Sequence, residues 1–269
     1  MTAFLEIACF DANSAITACE AGADRIELCD GREVGGTTPS HDSFTRTLVA
    51  TKRRSIPLSV MIRPRGGNFV YSDVEYAQMK MSIDVYKTDA SGFVLGILTE
   101  DGRVDVPRTR ELVRAAHPLP CTFHRAFDKT HNILDSLEDI LQTGCKAILS
   151  SGGATDALQG AYMLAELVRR ADGNIAIMPG GGVRSGNLAE ISTLTKARFF
   201  HSSALTNATG SPDIEEITKM MQLLRGDRSN DGASAQAHRS VLPAEHDEDA
   251  GRSHMIASAV SIGATTSIE

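Results

Sequence analysis

The sequence lacks an excess of basic residues. Its 34 Asp and Glu outnumber its 27 Lys and Arg, which gives a formal net charge of −7 at pH 7. Proteins that bind nucleic acid need a basic face for the phosphates, so this balance argues against nucleic acid as the main partner. The chain also lacks an apolar run near the ~20 residues that a membrane helix requires. We therefore expect no membrane partner.

Signals for processing and for disulfides are equally sparse. The first residues carry Glu6 inside an apolar stretch with no basic segment before it, which is unlike a signal peptide. The five cysteines are an odd number and include no CxxC spacing. This pattern is typical of free thiols in a reducing compartment rather than of a disulfide framework or a zinc site. A cytoplasmic location is the prediction.

What the chain does have is a repeated unit. Short apolar runs recur, each followed by a segment with helical periodicity. The runs cover residues 4–9, 24–29, 57–63, 92–98, 120–125, 146–151, 174–180 and 198–203. Eight strand–helix units in alternation predict a parallel sheet, and eight closes a (β/α)8 TIM-type barrel of the α/β class. An open doubly wound sheet is the alternative, but no GxGxxG follows the first run.

Local signals predict several helix ends. Ser72 and Glu75 have the spacing of a capping box. A stripe of apolar residues predicts a helix over 155–171. Gly22 and Gly144 each follow a helical segment and precede a strand after two more residues, which is where a glycine ends a helix.

The composition changes near residue 226. We predict a single barrel domain over 1–226 and a polar, low-complexity C-terminal tail over 227–269. The last stretch, 255–269, is apolar enough to pack back on the barrel.

Ionisable residues recur where the predicted strands end. A charge within a strand avoids the apolar layer beneath the helices, so it should point into the barrel, whose C-terminal strand ends carry the chemistry. This rule selects as catalytic candidates Glu6, Glu27, Arg63, His124 and Asp128, and it also marks His201. Such groups in one partly dry cavity shift one another's pKa values, which suits proton transfer. The alternative is a set of buried ion pairs that only fill the barrel.

Glycine-rich loops follow the sixth and seventh strands. Glycine lets the backbone approach a ligand, and the start of the next helix supplies free N–H groups. The candidate anion-binding residues are Ser151, Gly152, Gly153, Gly180, Gly181 and Gly182. The alternative is that these glycines only allow tight turns between strand and helix.

Lysine is poorly placed for one common barrel chemistry. Six of the seven lysines fall on predicted helices or strand starts, and Lys129 lies in a loop, so a Schiff-base aldolase is not favoured.

Sulfur-containing residues are better placed for a site, because Cys9 and Cys29 end neighbouring strands while Met61 and Met178 lie on strands. Thiolate and thioether ligands select Cu(I), although core packing is the alternative for the same residues.

Several long motifs resemble the CutC copper homeostasis family. They are "AGADRIELCDGREVGGTTPS", "VMIRPRGGNFVYS", "FHRAFD", "ILSSGGATDAL" and "IMPGGGV", and the resemblance runs from about residue 4 to 204. It implies a (β/α)8 barrel, a cytosolic location and a role in copper tolerance with Cu(I) bound through cysteines. The implied copper ligands are Cys9 and Cys29, with less support for Cys121. Family members continue into a final helix, so 213–226 is either that closing helix or an insertion that leaves the helix missing.

Two functions follow from the sequence. The first is a cytosolic Cu(I)-binding copper homeostasis protein. The second is a barrel enzyme with lyase-like or isomerase-like acid–base chemistry on a small anionic or sugar-like substrate, copper binding being incidental. In the second hypothesis Arg63 holds the anion while His124 and Glu27 exchange a proton. The expected partner is a copper ion or a small anionic metabolite, and a homodimer is the predicted assembly.

Overall fold

This computed structural model describes residues 3–206 and 210–237, and it describes side chains only as far as residue 226. Eight strands and eight α-helices alternate along these residues. The strands are β1 Phe4–Cys9, β2 Arg25–Leu28, β3 Leu58–Met61, β4 Gly92–Leu95, β5 Cys121–Phe123, β6 Ala147–Ser150, β7 Ala176–Pro179 and β8 Phe199–Ser202. The helices are α1 Ala12–Glu20, α2 His41–Arg54, α3 Asp73–Tyr86, α4 Val106–Ala116, α5 Ile133–Leu141, α6 Ala161–Ala171, α7 Ser185–Thr195 and α8 Ile214–Ala237. Short 3-10 segments, Arg32–Val34 and Arg125–Lys129, follow β2 and β5.

The strands form one parallel sheet that curls into a nearly closed barrel. Hydrogen-bonded neighbours run in the order β7-β6-β5-β4-β3-β2-β1-β8, and the two ends of this order, β7 and β8, contact each other. Each strand therefore lies beside the next strand in the sequence, as right-handed crossovers through a helix produce. The predicted (β/α)8 barrel is confirmed, and the open doubly wound alternative is wrong.

Alternation along each strand separates two environments. On β1, Leu5 and Ile7 are buried in the apolar layer beneath the helices, whereas Glu6 faces the barrel interior. The same apolar layer contains fully buried rings from other units, including Phe123 and Phe200. The main core therefore lies between strands and helices, which leaves the interior of the ring available for polar side chains.

Short-range chemistry explains several helix ends. Ser72 and Glu75 form the predicted capping box of α3. Gly22 and Gly144 have φ angles of 86° and 91°, a left-handed conformation that glycine adopts without strain. The helix predicted over 155–171 begins only at Ala161, because Asp156 holds the preceding segment in turns by accepting backbone N–H groups.

Helix α8 occupies the position of the eighth barrel helix. The Asp213 carboxylate accepts the N–H of Glu215 at 2.9 Å, as an N-cap residue does, and Ile217 is fully buried in the core. Glu216 accepts two hydrogen bonds from Ser185 at the start of α7, from the backbone N–H at 2.6 Å and from the hydroxyl at 2.7 Å. Residues 213–226 therefore have the place of the closing helix and not of an insertion.

The predicted polar tail over 227–269 lies outside the residues whose side chains are described. The chain divides into two units, 1–230 and 231–269. The packing of 255–269 on the barrel stays a prediction. None of the described helices is both long and apolar enough to cross a bilayer.

Candidate active site at the barrel mouth

A cavity of about 110 Å3 opens at the C-terminal ends of the strands. Its ionisable lining comes from four strands or the residues just after them: Glu27, Arg63, His124, Arg125 and His201. Larger grooves, of about 370 and 710 Å3, lie beside α3 and at the N-terminal ends of β5 and β6. Because barrel enzymes use the C-terminal strand ends, the mouth cavity is the candidate site.

A charge network lies directly beneath this cavity. Glu6 is fully buried, and its two oxygens contact Arg25 Nε at 2.5 Å and His201 Nδ1 at 2.7 Å. Burial alone would raise the pKa of Glu6, but Arg25 and His201 together bring it below its ordinary value. Glu6 is therefore an ionised anchor that fixes the orientation of the His201 ring.

Glu27 stands on the other side of the same histidine. His201 Nε2 lies 3.7 Å from Glu27 Oε2, which is longer than a hydrogen bond, and Glu27 Oε1 has no hydrogen-bond partner within the described residues. Burial, with a smaller effect of Glu6, raises the pKa of Glu27 to about 7. Burial lowers the pKa of His201, yet the carboxylates of Glu27 and Glu6 bring it above its ordinary value.

These three side chains also have the geometry of a cation site. Glu6, Glu27 and His201 each offer one ligand atom, and the three atoms lie within 4.8 Å of one another. However, Arg25 already neutralises Glu6, and the positive charge favoured on His201 competes with a metal ion. The arrangement therefore suits proton exchange better than metal binding.

His124 and Arg63 form the opposite wall. The ring of Phe69 lies 4.7 Å from the Arg63 guanidinium carbon and 5.0 Å from the His124 ring, measured to the centroid of Phe69. Arg63 donates to the backbone oxygens of Val34 and Gly36, each at 2.8 Å, which ties the loop after β2 to the end of β3. Arg63 therefore stabilises the contact between these two segments and also supplies a positive charge to the cavity wall.

Asp128 does not line the cavity. Its carboxylate accepts from Arg125 Nε at 2.8 Å, from the Ser150 hydroxyl at 2.6 Å and from the backbone N–H groups of Ser151 and Gly153. The 3-10 turn after β5 directs Asp128 toward the loop that follows β6. The structure therefore does not bring Asp128 together with the other four catalytic candidates.

The predicted anion loops are largely occupied by the protein itself. Ser151 and Gly153 donate their N–H groups to Asp128, so the chain supplies its own anion there. A Cβ atom on Gly152 would lie 2.5 Å from a backbone oxygen, and one on Gly180 would lie 2.4 Å from Leu149, so close packing requires glycine at both positions. The alternative interpretation as tight turns accounts for these two glycines.

The rest of the glycine-rich loop after β7 lies beside Arg125, which lines the cavity. A Cβ atom on Gly181 would lie 3.0 Å from Arg125 Nη1, and one on Gly182 would lie 3.2 Å from the Asp156 side chain. Arg125 itself is held by the Ser151 hydroxyl, which its Nη2 contacts at 2.8 Å. Any anion at this edge would therefore meet Arg125 first.

The two cysteines predicted as copper ligands lie on opposite faces of the sheet. Cys9 is paired with Leu28 in the register of β1 and β2, and it packs in the layer beneath the helices. Cys29 faces the barrel interior, where it packs with Met61. Burial, and then the Glu27 carboxylate, raises the pKa of the Cys29 thiol well above its usual value. Cys9 and Cys29 thus pack in different apolar clusters, although Cys9 is near enough to contribute to the raised pKa of the Cys29 thiol, and Cys121 packs in the outer layer.

The catalytic candidates selected from the sequence include neither Arg25 nor Arg125, although both belong to the site. Arg25 lies two residues before Glu27 on β2, so the two side chains point to the same face of the strand. Arg25 begins the strand, however, and the N-terminal strand ends of a barrel are associated with stability and not with chemistry. Arg125 stands next to His124 in "FHRAFD" and still reaches the cavity. Applying the alternation rule to whole strands would have found Arg25, whereas the 3-10 turn that places Arg125 has no clear signal in the sequence.

A ring of parallel strands with ionisable side chains gathered at their C-terminal ends defines a TIM-type (β/α)8 barrel. Among solved structures, thiamine phosphate pyrophosphorylase from Pyrococcus furiosus is similar, with a TM-score of 0.55 and 16% identity over 84% of this chain and 96% of that chain. Such a likeness shows the fold alone. The sequence profile of the CutC family matches residues 3–206, so the chain belongs to the CutC family.

Individual relatives agree with this assignment. The chain is 45% identical to the human copper homeostasis protein cutC homolog, over 75% of this chain and 73% of the human protein. It is 44% identical to a family protein CutC of Parabacteroides distasonis, over 76% of this chain and 84% of that protein. A crystal structure of CutC from Streptococcus agalactiae matches with a TM-score of 0.71 and 32% identity, over 75% and 98% of the two chains. The resemblance seen in the sequence motifs is confirmed.

Proposed function

We propose that this CutC barrel is an enzyme that performs acid–base chemistry on a small anionic or sugar-like substrate in the mouth cavity. One observation carries the proposal: the buried Glu27 carboxyl lines the cavity beside His201, and one of its oxygens has no hydrogen-bond partner among the residues that the structure describes. A pKa of about 7 leaves Glu27 able both to take and to return a proton near neutral pH.

His201 is the second proton-transfer group. Glu6 holds its Nδ1 side, so Nε2 is the atom that faces Glu27 and the cavity. The raised pKa of His201 favours an imidazolium, which can donate a proton while Glu27 accepts one. Arg25 is a positioning residue, because it keeps Glu6 ionised without lining the cavity.

The cations at the mouth support an electron-rich substrate. Arg63 and Arg125 both line the cavity, and two of the described acids nearby are already paired, Glu6 with Arg25 and Asp128 with Arg125. The volume of about 110 Å3 is small beside the roughly 300–1,000 Å3 of common ligand pockets. The substrate, or its reacting end, is therefore small.

A ligand screen with a matched pair of variants tests this proposal. Thermal-shift measurements with small phosphates, carboxylates and sugars should find compounds that stabilise the wild type, and Glu27→Gln should abolish any turnover of the best of them. Glu138→Gln, an exposed change on α5, is the control and should leave both readouts unchanged. The rate should rise with pH through about 7 as Glu27 ionises and fall once His201 loses its proton. Stabilisation and turnover that Glu27→Gln leaves intact would contradict the proposal.

Copper homeostasis is the second candidate, because the human and mouse relatives carry that name. The fit to Cu(I) differs from the sequence expectation, since Cys9 and Cys29 face opposite sides of the sheet. The sulfur atoms that do share the mouth belong to Cys29 and Met61, and a Cβ atom on Gly36 would contact both side chains. One thiol and one thioether form a soft but incomplete site.

Competition for Cu(I) against a chelator distinguishes the two cysteines. If copper binds at the mouth, Cys29→Ser should weaken binding at least about tenfold, whereas Cys9→Ser should have little effect. Binding should tighten as the pH rises, because the buried thiol must lose its proton. Equal losses in both variants would instead support the original pairing of Cys9 with Cys29.

Cellular location and assembly stay predictions within this proposal. A cytoplasmic protein and a homodimer are expected for both candidate functions. The exposed apolar side chains of α3, which include Val74, Met81 and Val85, offer a surface for a second copy. Size-exclusion chromatography with light scattering on the wild type and on Met81→Lys would detect such a dimer and its loss.

A further inference from the structure

Three buried polar atoms of residues that line the mouth cavity have no hydrogen-bond partner within the described residues, although the Tyr71 hydroxyl lies near the Arg63 guanidinium and the Cys29 thiol lies near the Glu27 carboxyl. The three atoms are Arg63 Nε, His124 Nε2 and Glu27 Oε1. Their residues are 4%, 4% and 2% exposed, and all three line the same cavity. A buried polar atom without a partner costs free energy unless a ligand satisfies it. The cavity therefore suits a ligand that presents an acceptor oxygen to two donors and a removable proton to one carboxylate.

The two donors have fixed orientations. His124 Nδ1 accepts the N–H of Ala126 at 3.2 Å, so the proton of the neutral ring is on Nε2. Burial, assisted by the nearby Arg63 charge, lowers the pKa of His124 to about 3, which keeps the ring neutral at physiological pH. It is a hydrogen-bond donor and not a proton source.

Arg63 is equally constrained. Its Nη1 donates to two backbone oxygens, and its Nη2 donates to the backbone oxygen of Gly67 at 3.0 Å. These bonds hold the guanidinium in place against Phe69, which also packs against His124. Fixed donors are the kind that stabilise a developing oxyanion, because they need no reorganisation during the reaction.

We propose that Arg63 Nε and His124 Nε2 together bind the carbonyl oxygen of the substrate, which is a small α-hydroxy aldehyde or ketone, while Glu27 removes the proton from the carbon next to that carbonyl. This inference rests on the proposed function and names its substrate class. The neighbouring hydroxyl can hydrogen-bond to both Glu27 and His201 from beside the line that joins their closest atoms, which are 3.7 Å apart.

The step balances without a co-reactant. Glu27 carboxylate takes the proton, and the electron pair of the broken C–H bond forms a carbon–carbon double bond. The π pair of the carbonyl moves to its oxygen, which becomes an enediolate oxyanion held by the two N–H donors. Return of the proton to the same carbon regenerates the substrate. Return to the former carbonyl carbon, with transfer of the hydroxyl proton between the two oxygens, gives the isomer.

Deuterium exchange measures this step directly. The full chain in D2O, incubated with three- and four-carbon α-hydroxy aldehydes and ketones, should exchange the proton next to the carbonyl, as followed by proton NMR. Replacement of one oxyanion donor costs about 100-fold in rate in comparable sites, so His124→Phe should slow exchange by about that factor with little change in KM. His124→Gln, which restores an N–H donor, should recover part of the rate.

Binding of glycolohydroxamate, a planar mimic of an enediolate, supplies a second readout by calorimetry. It should bind the wild type and Glu27→Gln but bind His124→Phe at least about tenfold more weakly, because the donor pair is broken. Variants that fail to fold are recognised by circular dichroism, and His124→Gln then carries the comparison.

The outcomes separate this inference from the function on which it rests. Exchange in the wild type that His124→Phe leaves unchanged would overturn the role of the donor pair and leave the acid–base function standing. Absence of exchange and of hydroxamate binding, in a protein that other small anions stabilise, would overturn the substrate class alone. A wild type that neither exchanges these substrates nor is stabilised by any small polar compound would overturn both.

Discussion

The two sides of the barrel mouth each hold a buried carboxylate, and the two carboxylates differ in how many hydrogen-bond partners surround them. On the β5–β6 side, Asp128 is surrounded by donors from Arg125, Ser150, Ser151 and Gly153. On the β2–β8 side, one oxygen of Glu27 has no partner in the part of the chain that the structure describes, and burial raises the pKa of this carboxyl. Satisfied groups hold a structure together, whereas a group left short of partners is available for a ligand or a proton. The difference separates the scaffold of the mouth from its chemistry.

The comparison predicts opposite stability changes for the two carboxylates, and the larger is on the satisfied side. Asp128→Ala should lower the free energy of unfolding by about 4 kcal/mol, because Arg125 and two backbone N–H groups lose their acceptor. Urea unfolding measures the change. Asp135→Ala, at an exposed position on α5, is the control. A decrease in the free energy of unfolding of less than about 1 kcal/mol would show that Asp128 stabilises the protein no more than an ordinary polar residue does.

Glu27→Gln should stabilise the protein at pH 8. The folded-state pKa of about 7 lies above the unfolded value of 4.5, so the favourable contribution of Glu27 is complete below pH 4.5 and is lost as the pH rises through 7. Glu27→Gln does not ionise, so it avoids this decrease in the free energy of unfolding, which amounts to about 3 kcal/mol at pH 8. Unfolding free energies measured at pH 4.5 and pH 8 should therefore converge at the lower pH. A variant that is less stable than the wild type at pH 8 would show that Glu27 is structural.

The smallest expected effect refines the comparison within the satisfied side. Ser151→Ala removes a hydroxyl that contacts Arg125 at 2.8 Å, but Asp128 keeps its remaining donors. The expected loss is about 1 kcal/mol, measured by urea unfolding. If the position of Arg125 matters for the substrate, Ser151→Ala should also weaken ligand binding at the mouth. A loss as large as that of Asp128→Ala would mean that the hydroxyl, and not the carboxylate, organises the loop.

Much of the fold was predictable because its signals are local. Apolar runs separated by helical periodicity define eight units, and each strand pairs with its sequence neighbour, so no long-range information is needed. The late start of α6 was not predictable in this way. An apolar stripe continues through Ala157 and Leu158, but the hydrogen bonds of Asp156 hold that stretch in turns.

The site was predictable as far as strand alternation extends. Charged residues inside strands, such as Glu27, reach the interior because the helix-facing layer is apolar. The same rule, applied to Cys9, places it on the face opposite Glu6, so the separation from Cys29 was already implied by β1. Asp128 lies within the 3-10 turn after β5, where the period of two no longer applies, and its direction depends on contacts with β6 that the sequence does not encode locally.

The hydrogen bonds between α7 and α8 have a consequence for biosynthesis. Arg184 precedes α7 and has no side-chain acceptor, so the first N–H of that helix is completed by Glu216, which is made about thirty residues later. A nascent chain that has emerged only as far as β8 holds all the strands but lacks the Glu216 acceptor for the N–H of Ser185. Pausing of the ribosome before α8 emerges would therefore prolong an exposed, proteolysis-sensitive intermediate.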